Sequence, residues 1–267
     1  MITKEQMELF ETFGFLVLRQ AFSPEEMEKI ISDFDSMIEK EMLRFEKLGE
    51  GSRGPKVFGT DGFGEFIEKH PSLANLAEDD RIYETIEQLL GPGFIWTGSE
   101  GVCGRSLASW HADRQGKIEL NFMTIKVHLY LDPTTKESCA LRVIPGSHRS
   151  PFHEIIKPIF SSKNNPDAQP YGVVGKEVPY YPFESNPGDV IFFNQCLLHS
   201  VYGNLENERR YIALKFGERI KNDDDIATLL RYKSDGIIFR PHKAFINSDS
   251  ARIRGMVKSL VEHGEKV

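Results

Sequence analysis

His111, Asp113 and His199 are the residues whose types and spacing best suit metal chemistry. In an extended strand alternate side chains share one face, so His111 and Asp113, two positions apart, can point at one ion. His199, far downstream, would complete the set. Two imidazoles and one carboxylate on one face of an octahedral ion leave three positions open for a co-substrate and O₂. A His-x-Asp pair alone is weak evidence, because it also occurs in surface strands and turns.

The sequence around His199 strengthens the metal interpretation. Asn204 follows five positions later, and an apolar, strand-like run over 210–216 opens with Arg210, eleven positions after His199. Two turn sequences, Pro-Gly-Ser-His at 145–148 and Pro-Gly-Asp at 187–189, precede the segment that carries His199.

Together these motifs resemble the phytanoyl-CoA dioxygenase family of Fe(II)/2-oxoglutarate oxygenases, over about residues 10–217. The resemblance implies that His111, Asp113 and His199 are the catalytic iron ligands. It also implies that Arg210 binds the far carboxylate of 2-oxoglutarate. Arg209 is the alternative, since a one-residue slip of the strand would turn the other arginine inward.

The implied fold is mainly β with flanking helices: a double-stranded β-helix, or jelly roll. Many short β signals between turns agree with it, over about 94–96, 118–131, 139–144, 177–181, 189–194, 197–202 and 209–217. A chain of 267 residues is long enough for one large domain, and we expect 1–267 to be one unit with its N-terminal helices packed on the jelly roll.

The segment 123–131 alternates apolar and polar residues. Its apolar face should pack against helices, leaving Thr124, Lys126, His128 and Tyr130 on the face that lines a jelly-roll pocket, or on a face open to water. By the resemblance, Lys126 and His128 stand where 2-oxoglutarate is contacted. Lys126 departs from the small or aromatic residues usual there, and it would pair with a carboxylate of 2-oxoglutarate or of the substrate.

Three cationic residues suggest an anionic substrate. Arg105 lies six positions before His111, whereas Lys126 and Arg142 lie on neighbouring predicted strands. Buried cations are tolerated mainly when paired, so a carboxylate or phosphate on the substrate would suit them, with Tyr130 as a further contact. Surface salt bridges are the alternative for Arg105 and Arg142.

Composition narrows the function class. The net charge of −7 argues against a nucleic-acid surface, and 40% hydrophobic with 27% charged residues is ordinary for a soluble globular protein. No run approaches a membrane span, and the N-terminus lacks a signal-peptide core, so we expect a cytoplasmic protein without a membrane partner. Three cysteines without CxxC spacing favour free thiols. Oligomeric state does not follow from the sequence.

Helices are predicted at the start and end of the chain. Thr3 to Gln6 has capping-box form, and Ser23-Pro24 opens a long helix with an apolar stripe from Met27 to Phe45. Short helices are expected over about 71–78 and 80–90, from Asp223, and from Ser248 to Glu262. The glycine-rich segment 49–64 favours an irregular loop or a flap, and 152–182 a lid or a passive excursion.

The sequence favours an oxygenase that oxidises, most often hydroxylates, a small metabolite, with Fe(II), 2-oxoglutarate and O₂ as cofactors and succinate and CO₂ as products. By the same resemblance, Asp113 argues against a related halogenase, in which a small residue replaces the carboxylate and leaves room for halide. Two rivals remain: a protein hydroxylase or demethylase of the same fold, and a non-catalytic jelly-roll binding protein. The second would be expected to have a damaged triad, which is not seen.

Overall fold

The computed structural model describes residues 1–47, 56–57, 60–104, 107–114, 121–163, 165, 167–203, 209–231 and 241–263. Within these ranges the strands form two antiparallel sheets. The strands are β1 (Phe15–Leu18), β2 (Lys56–Val57), β3 (Thr60–Gly64), β4 (Ile95–Gly104), β5 (Ala108–His111), β6 (Thr124–Tyr130), β7 (Ser138–Val143), β8 (Tyr181–Pro182), β9 (Val190–Asn194), β10 (His199–Gly203) and β11 (Arg209–Gly217). The larger sheet has the order β1-β9-β6-β11-β4-β3-β2, and the smaller has the order β5-β10-β7-β8.

The helices of the described ranges flank these sheets. They are α1 (Lys4–Phe13), α2 (Pro24–Lys47), α3 (Pro71–Ala74), α4 (Asp80–Leu90), α5 (Phe152–Ile156), α6 (Asp223–Arg231), α7 (Lys243–Ile246) and α8 (Ala251–His263). The capping box at Thr3 is present, and Ser23 and Glu26 bond reciprocally at the start of α2. None of the described helices combines the length and apolarity needed to cross a membrane.

Strand β6 of the large sheet separates apolar from polar residues by alternation. In β6, the side chains of Ile125, Val127 and Leu129 join the core cluster that also contains residues of α1, α2, α4 and α8. The prediction for this strand is confirmed, since Lys126, His128 and Tyr130 lie on the other face. That face turns toward the small sheet, and the two sheets share a second apolar cluster that includes Phe193 of β9.

A separate apolar cluster packs on the outer face of the small sheet. Ile156, Ile159 and Val178 pack with Trp110 and Leu198 on the side of β5 and β10 away from the large sheet. Ile156, Ile159 and Val178, from the segment 152–182, therefore cover the outer face of the small sheet, on the side opposite His111. This placement favours a packing role over a lid.

Three predicted elements need correction. Residues 60–64 form β3, which pairs with β4, although the glycine content predicted no regular element there. Pairing to a neighbouring strand supplies hydrogen bonds that intrinsic propensity does not anticipate. Residues 177–181 are not a continuous strand: residue 177 ends a short 3₁₀ turn, Gly175–Glu177, and residue 181 begins β8. Met42, placed on the apolar stripe of α2, is 37% exposed. Most of 49–59 lies outside the described residues.

A buried carboxylate supports β4 from the helical side. Glu68, only 5% exposed, accepts a hydrogen bond from Trp96 Nε1 at 2.9 Å and another from the Ser99 hydroxyl. Burial raises the pKa of Glu68, and the hydrogen bonds from Ser99 and Trp96 only partly offset that rise. The charged form of this side chain is therefore unfavourable in the folded state.

Replacing Glu68 by Gln should become progressively more favourable for stability as pH rises. The folded-state pKa lies above the ordinary value of 4.5. The Glu68 carboxyl therefore contributes most to wild-type stability below its unfolded-state pKa. That contribution is lost as pH rises through its folded-state pKa. Glu68→Gln cannot titrate and keeps an acceptor for Trp96. Urea unfolding of both proteins from about pH 5 to about pH 8 tests this; a pH-independent difference would contradict it.

Candidate metal centre

His111 and His199 lie side by side on adjacent strands of the small sheet. They are direct partners in the antiparallel pairing of β5 with β10, and their ring centroids are 4.2 Å apart. Asp113 lies just beyond the end of β5, where the amide of Arg114 donates to the carbonyl of Gln195. One ligand atom from each of His111, Asp113 and His199 lies within 4.8 Å of the other two. The structure thus brings the predicted triad together.

Backbone carbonyls orient both imidazoles. Nδ1 of His111 is 2.8 Å from the Ser109 carbonyl oxygen, and Nδ1 of His199 is 2.9 Å from that of Leu197. A carbonyl only accepts, so each Nδ1 carries the proton and each neutral ring has its lone pair on Nε2. Burial, together with the neighbouring His111, lowers the pKa of His199 to about 3. The His199 ring is therefore neutral at physiological pH, as a metal ligand must be.

The two oxygens of Asp113 face different partners. Oδ1 is 3.7 Å from Nε2 of His199, whereas Oδ2 accepts from the Lys126 ammonium at 3.1 Å. Burial raises the pKa of Asp113, but nearby positive charge, chiefly the Lys126 ammonium beside it, outweighs the effect of burial and holds that pKa well below its usual range. Burial lowers the pKa of Lys126, and Asp113 and Glu100 more than compensate. Both groups are therefore charged.

A strip of alternating charge crosses the inner face of the large sheet. Lys126 lies directly opposite Lys215 in the pairing of β6 with β11. Glu100 of β4 forms ion pairs with both, with its Oε2 3.9 Å from Lys126 Nζ. Burial raises the pKa of Glu100, but Lys215 and Lys126 together lower it below its usual value. Sequence analysis missed Glu100 and Lys215, although both alternate with outward-facing residues of their strands.

His128 lies farther along the same face. Its ring centroid is 4.6 Å from that of Tyr211 and 5.1 Å from that of Phe193. Nδ1 is 3.4 Å from the Tyr130 hydroxyl, and the buried Nε2 has no hydrogen-bond partner among the described residues. Burial, with Lys126 and Arg209 nearby, lowers the pKa of His128 well below its usual value. A neutral ring with an unsatisfied buried nitrogen suits a polar ligand.

Tyr130, predicted to contact substrate, is fully buried beside His128 and Tyr211. Burial raises the pKa of its hydroxyl to about 12, so the hydroxyl stays protonated. The guanidinium carbon of Arg209 is 6.0 Å from the Tyr130 ring centroid. Tyr130 therefore lies at the Arg209 end of the inner face, away from Lys126.

Arg210 does not face the site, which corrects its predicted position. Its guanidinium forms ion pairs at 2.7 Å with Asp35 of α2 and with Asp132, on the helix-covered face of the large sheet. Alternation explains this, because Ile212 and Leu214 share that face and pack in the helix-side core. Sequence analysis relied on the spacing from His199 and overlooked this alternation.

Arg209, the alternative, turns inward. The side chain is buried, and its Nη1 donates to the Cys139 carbonyl at 2.8 Å. Its guanidinium carbon is 5.2 Å from the Tyr211 ring centroid. No carboxylate of the described residues lies within ion-pair distance of Arg209. A buried guanidinium with only neutral partners suits an incoming carboxylate.

The cations expected to surround the metal are placed differently. Arg142 faces the outer side of the small sheet, where its guanidinium carbon lies 4.2 Å from the Tyr180 ring centroid and 5.4 Å from that of Tyr202. It alternates with Leu141 and Val143, which fill the space between the sheets. Arg142 is therefore not a pocket residue. Arg105 lies outside the described residues.

Two other histidines are not part of the cluster. His148 and His153 contact the backbone carbonyls of Glu11 and Ser147. The only metal-type cluster found among the described residues is His111, Asp113 and His199.

The residues fit a divalent ion with a chelating dicarboxylate. Nε2 of both imidazoles and Oδ1 of Asp113 form a one-sided donor set of the kind that suits Fe(II). On the same inner face, Arg209 and the unsatisfied His128 nitrogen offer hydrogen-bonding partners for a carboxylate. Sequence analysis found this donor set, and it placed Arg209 only as the alternative to Arg210 for the contact with 2-oxoglutarate.

The fold is similar to that of solved metalloenzymes. HygX from Streptomyces hygroscopicus, with nickel and 2-oxoglutarate bound, has 21% identity and a TM-score of 0.62, covering 81% of this chain and 87% of that chain. The 2-oxoglutarate-dependent carbocyclase SnoK from nogalamycin biosynthesis has 16% identity and a TM-score of 0.61, covering 81% and 84%. Apo EctD from S. alaskensis has 20% identity and a TM-score of 0.60, covering 81% and 77%.

A comparison with curated proteins gives no match. The family model for phytanoyl-CoA dioxygenase matches residues 10–211, a range that includes all three metal-type residues and Arg209. That range is most of the sequence, and the chain belongs to the phytanoyl-CoA dioxygenase family.

Proposed function

We propose that this Fe(II)- and 2-oxoglutarate-dependent oxygenase hydroxylates a small molecule bound between its two sheets. The observation that carries the proposal is the convergence of His111, Asp113 and His199 within 4.8 Å. An intact triad in a family of oxygenases argues against a role limited to binding.

The three residues of the triad would hold the metal. His111 and His199 would hold iron through Nε2, and Asp113 through Oδ1. When bound, iron and 2-oxoglutarate supply the O₂ activation, in which 2-oxoglutarate loses CO₂ and becomes succinate. The protein orients the ligands through the carbonyls of Ser109 and Leu197.

Arg209 and His128 would hold 2-oxoglutarate. Arg209 would form a charge-assisted fork with the far carboxylate, which gives the buried guanidinium the anionic partner it lacks among the described residues. Nε2 of His128, which has no hydrogen-bond partner among the described residues, would contact the same molecule, and it would donate in the tautomer in which Nδ1 accepts from the Tyr130 hydroxyl.

A small molecule suits the enclosed position of the triad better than a protein segment. The side chain of His199 is only 6% exposed and that of Asp113 is 22% exposed. A related HygX structure has hygromycin B bound with nickel and 2-oxoglutarate, which is a small-molecule precedent on this fold. Lys126 is paired and Arg142 faces outward, so we do not extend the proposal to an anionic substrate.

A succinate assay tests the proposed activity directly. Protein loaded anaerobically with Fe(II) and mixed with 2-oxoglutarate and O₂ should form succinate slowly alone and faster with a substrate from a panel of small molecules. Mass spectrometry should find one added oxygen atom in the product. Turnover of a peptide panel with no small-molecule response would contradict the proposed substrate class.

Alanine at His111, Asp113 or His199 should abolish succinate formation, because each change removes one of only three protein donors. Each variant should also bind Fe(II) at least tenfold more weakly in anaerobic titrations, by the usual cost of perturbing a metal site. Circular dichroism should show that the sheets persist. Wild-type metal affinity in any one variant would remove that residue from the donor set.

Arg209→Ala should weaken 2-oxoglutarate binding about ten- to a hundredfold, from the loss of about 1.5–3 kcal/mol in a charge-assisted contact. Arg210→Ala is the matched control: it removes the same charge one residue away, on the opposite face. It should leave 2-oxoglutarate affinity unchanged and lower stability only modestly. Calorimetric titration of 2-oxoglutarate into the two Ni(II)-loaded variants measures both affinities. Weaker binding in Arg210→Ala with normal binding in Arg209→Ala would identify Arg210 as the residue that binds 2-oxoglutarate.

A further inference from the structure

Lys126 contacts a protein carboxylate at the position where a family resemblance predicted a co-substrate contact. Its ammonium donates to Oδ2 of Asp113 at 3.1 Å, and its side chain is 12% exposed. Asp113 Oδ1 instead faces Nε2 of His199. The two oxygens of this carboxylate thus face different partners.

This division matters because a carboxylate can bind a metal through one oxygen or through both. Three single-atom protein donors leave three positions of an octahedral ion for two atoms of a chelating co-substrate and for O₂. A carboxylate that binds through both oxygens takes one of those positions. Whatever keeps Oδ2 away from the metal therefore keeps a reaction position open.

We propose that Lys126 is a positioning residue that holds Oδ2 of Asp113, so that Asp113 binds the metal through Oδ1 alone. The inference rests on the proposed function, since it concerns the same metal centre. It predicts that, without Lys126, Oδ2 of Asp113 also binds the metal. The metal should then still be bound, but 2-oxoglutarate should bind it more weakly.

The surrounding residues keep Lys126 in place. Glu100 reaches it from β4 at 3.9 Å and also pairs with Lys215. Lys126 therefore has two carboxylates within ion-pair distance of its ammonium. Moving this buried ammonium toward bulk water would break both ion pairs and leave two carboxylates unpaired, which is unfavourable.

Lys215 provides a matched control. It carries the same charge on the same inner face, directly opposite Lys126 in the strand pairing, and its ion pair is with Glu100. No ion pair joins it to Asp113 among the described residues. Lys215→Met therefore removes a positive charge near the metal without removing the contact to Oδ2.

The test uses Mn(II) as the probe, because relaxation of water protons by bound Mn(II) reports the number of metal-bound waters. Wild type, Lys126→Met, Lys126→Arg and Lys215→Met are loaded with Mn(II), first without 2-oxoglutarate. Lys126→Met should bind Mn(II) as tightly as wild type but lose about one third of the inner-sphere relaxivity, as one of three waters is displaced. Lys215→Met should match wild type, and Lys126→Arg should recover most of the loss.

Titration of 2-oxoglutarate into the same samples gives the second readout. Lys126→Met should bind it about tenfold more weakly or worse, the usual effect of losing a partner of a metal ligand. Unchanged relaxivity together with weaker 2-oxoglutarate binding would overturn the inference and identify Lys126 as a direct co-substrate contact. Equal effects of Lys126→Met and Lys215→Met would also overturn it, in favour of a general charge effect.

Two further outcomes separate this inference from the proposed function. If wild type binds neither Mn(II) nor 2-oxoglutarate, the proposed function itself fails. If wild type binds both and Lys126→Met behaves identically, only the role of Lys126 fails. Should Lys126→Met not fold, Lys126→Gln, whose amide is one atom shorter, is measured in the same way.

Discussion

The pairing of His111 with His199 across β5 and β10 is the constraint on which the site depends. Strands place alternate residues on opposite faces, so a shift of one residue in this ladder would turn one imidazole toward the packed outer face. Trp110 and Leu198, the neighbours of the two histidines, fill that outer face and resist such a shift. Packing on one side of the small sheet thereby fixes metal geometry on the other.

The large sheet carries charged side chains on a face that is enclosed between the two sheets. Its helix-side face is apolar and supplies most of the core, whereas its inner face carries Lys126, Lys215 and Glu100. Burying an isolated charge is costly, and these residues avoid that cost by alternating in sign toward Asp113. Arg209 is the exception. It lacks a carboxylate among the described residues, and that makes it the natural place for an anionic co-substrate.

Local pattern predicted much of this arrangement from the sequence. Alternation over 123–131 gave the correct faces of β6, and the triad was found from residue type and spacing. The same alternation, applied to Ile212 and Leu214, would have placed Arg210 with the helices and Arg209 in the pocket. β3 and the contact between Lys126 and Asp113 are harder cases, because the contact depends on how the two sheets pack face to face and β3 depends on pairing with β4. Such pairing has no local signal.

The charges around Asp113 also bear on how a metal enters. A metal ligand must be deprotonated, and a buried carboxylate would ordinarily resist ionisation. Lys126 removes that resistance, while burial keeps His199 neutral, so both ligands are already in their binding forms. Lys126 alone would repel an incoming cation. Because the Glu100 carboxylate lies 3.9 Å from the Lys126 ammonium, part of that repulsion is cancelled, and the lysine can orient Asp113 without closing the site to a divalent ion.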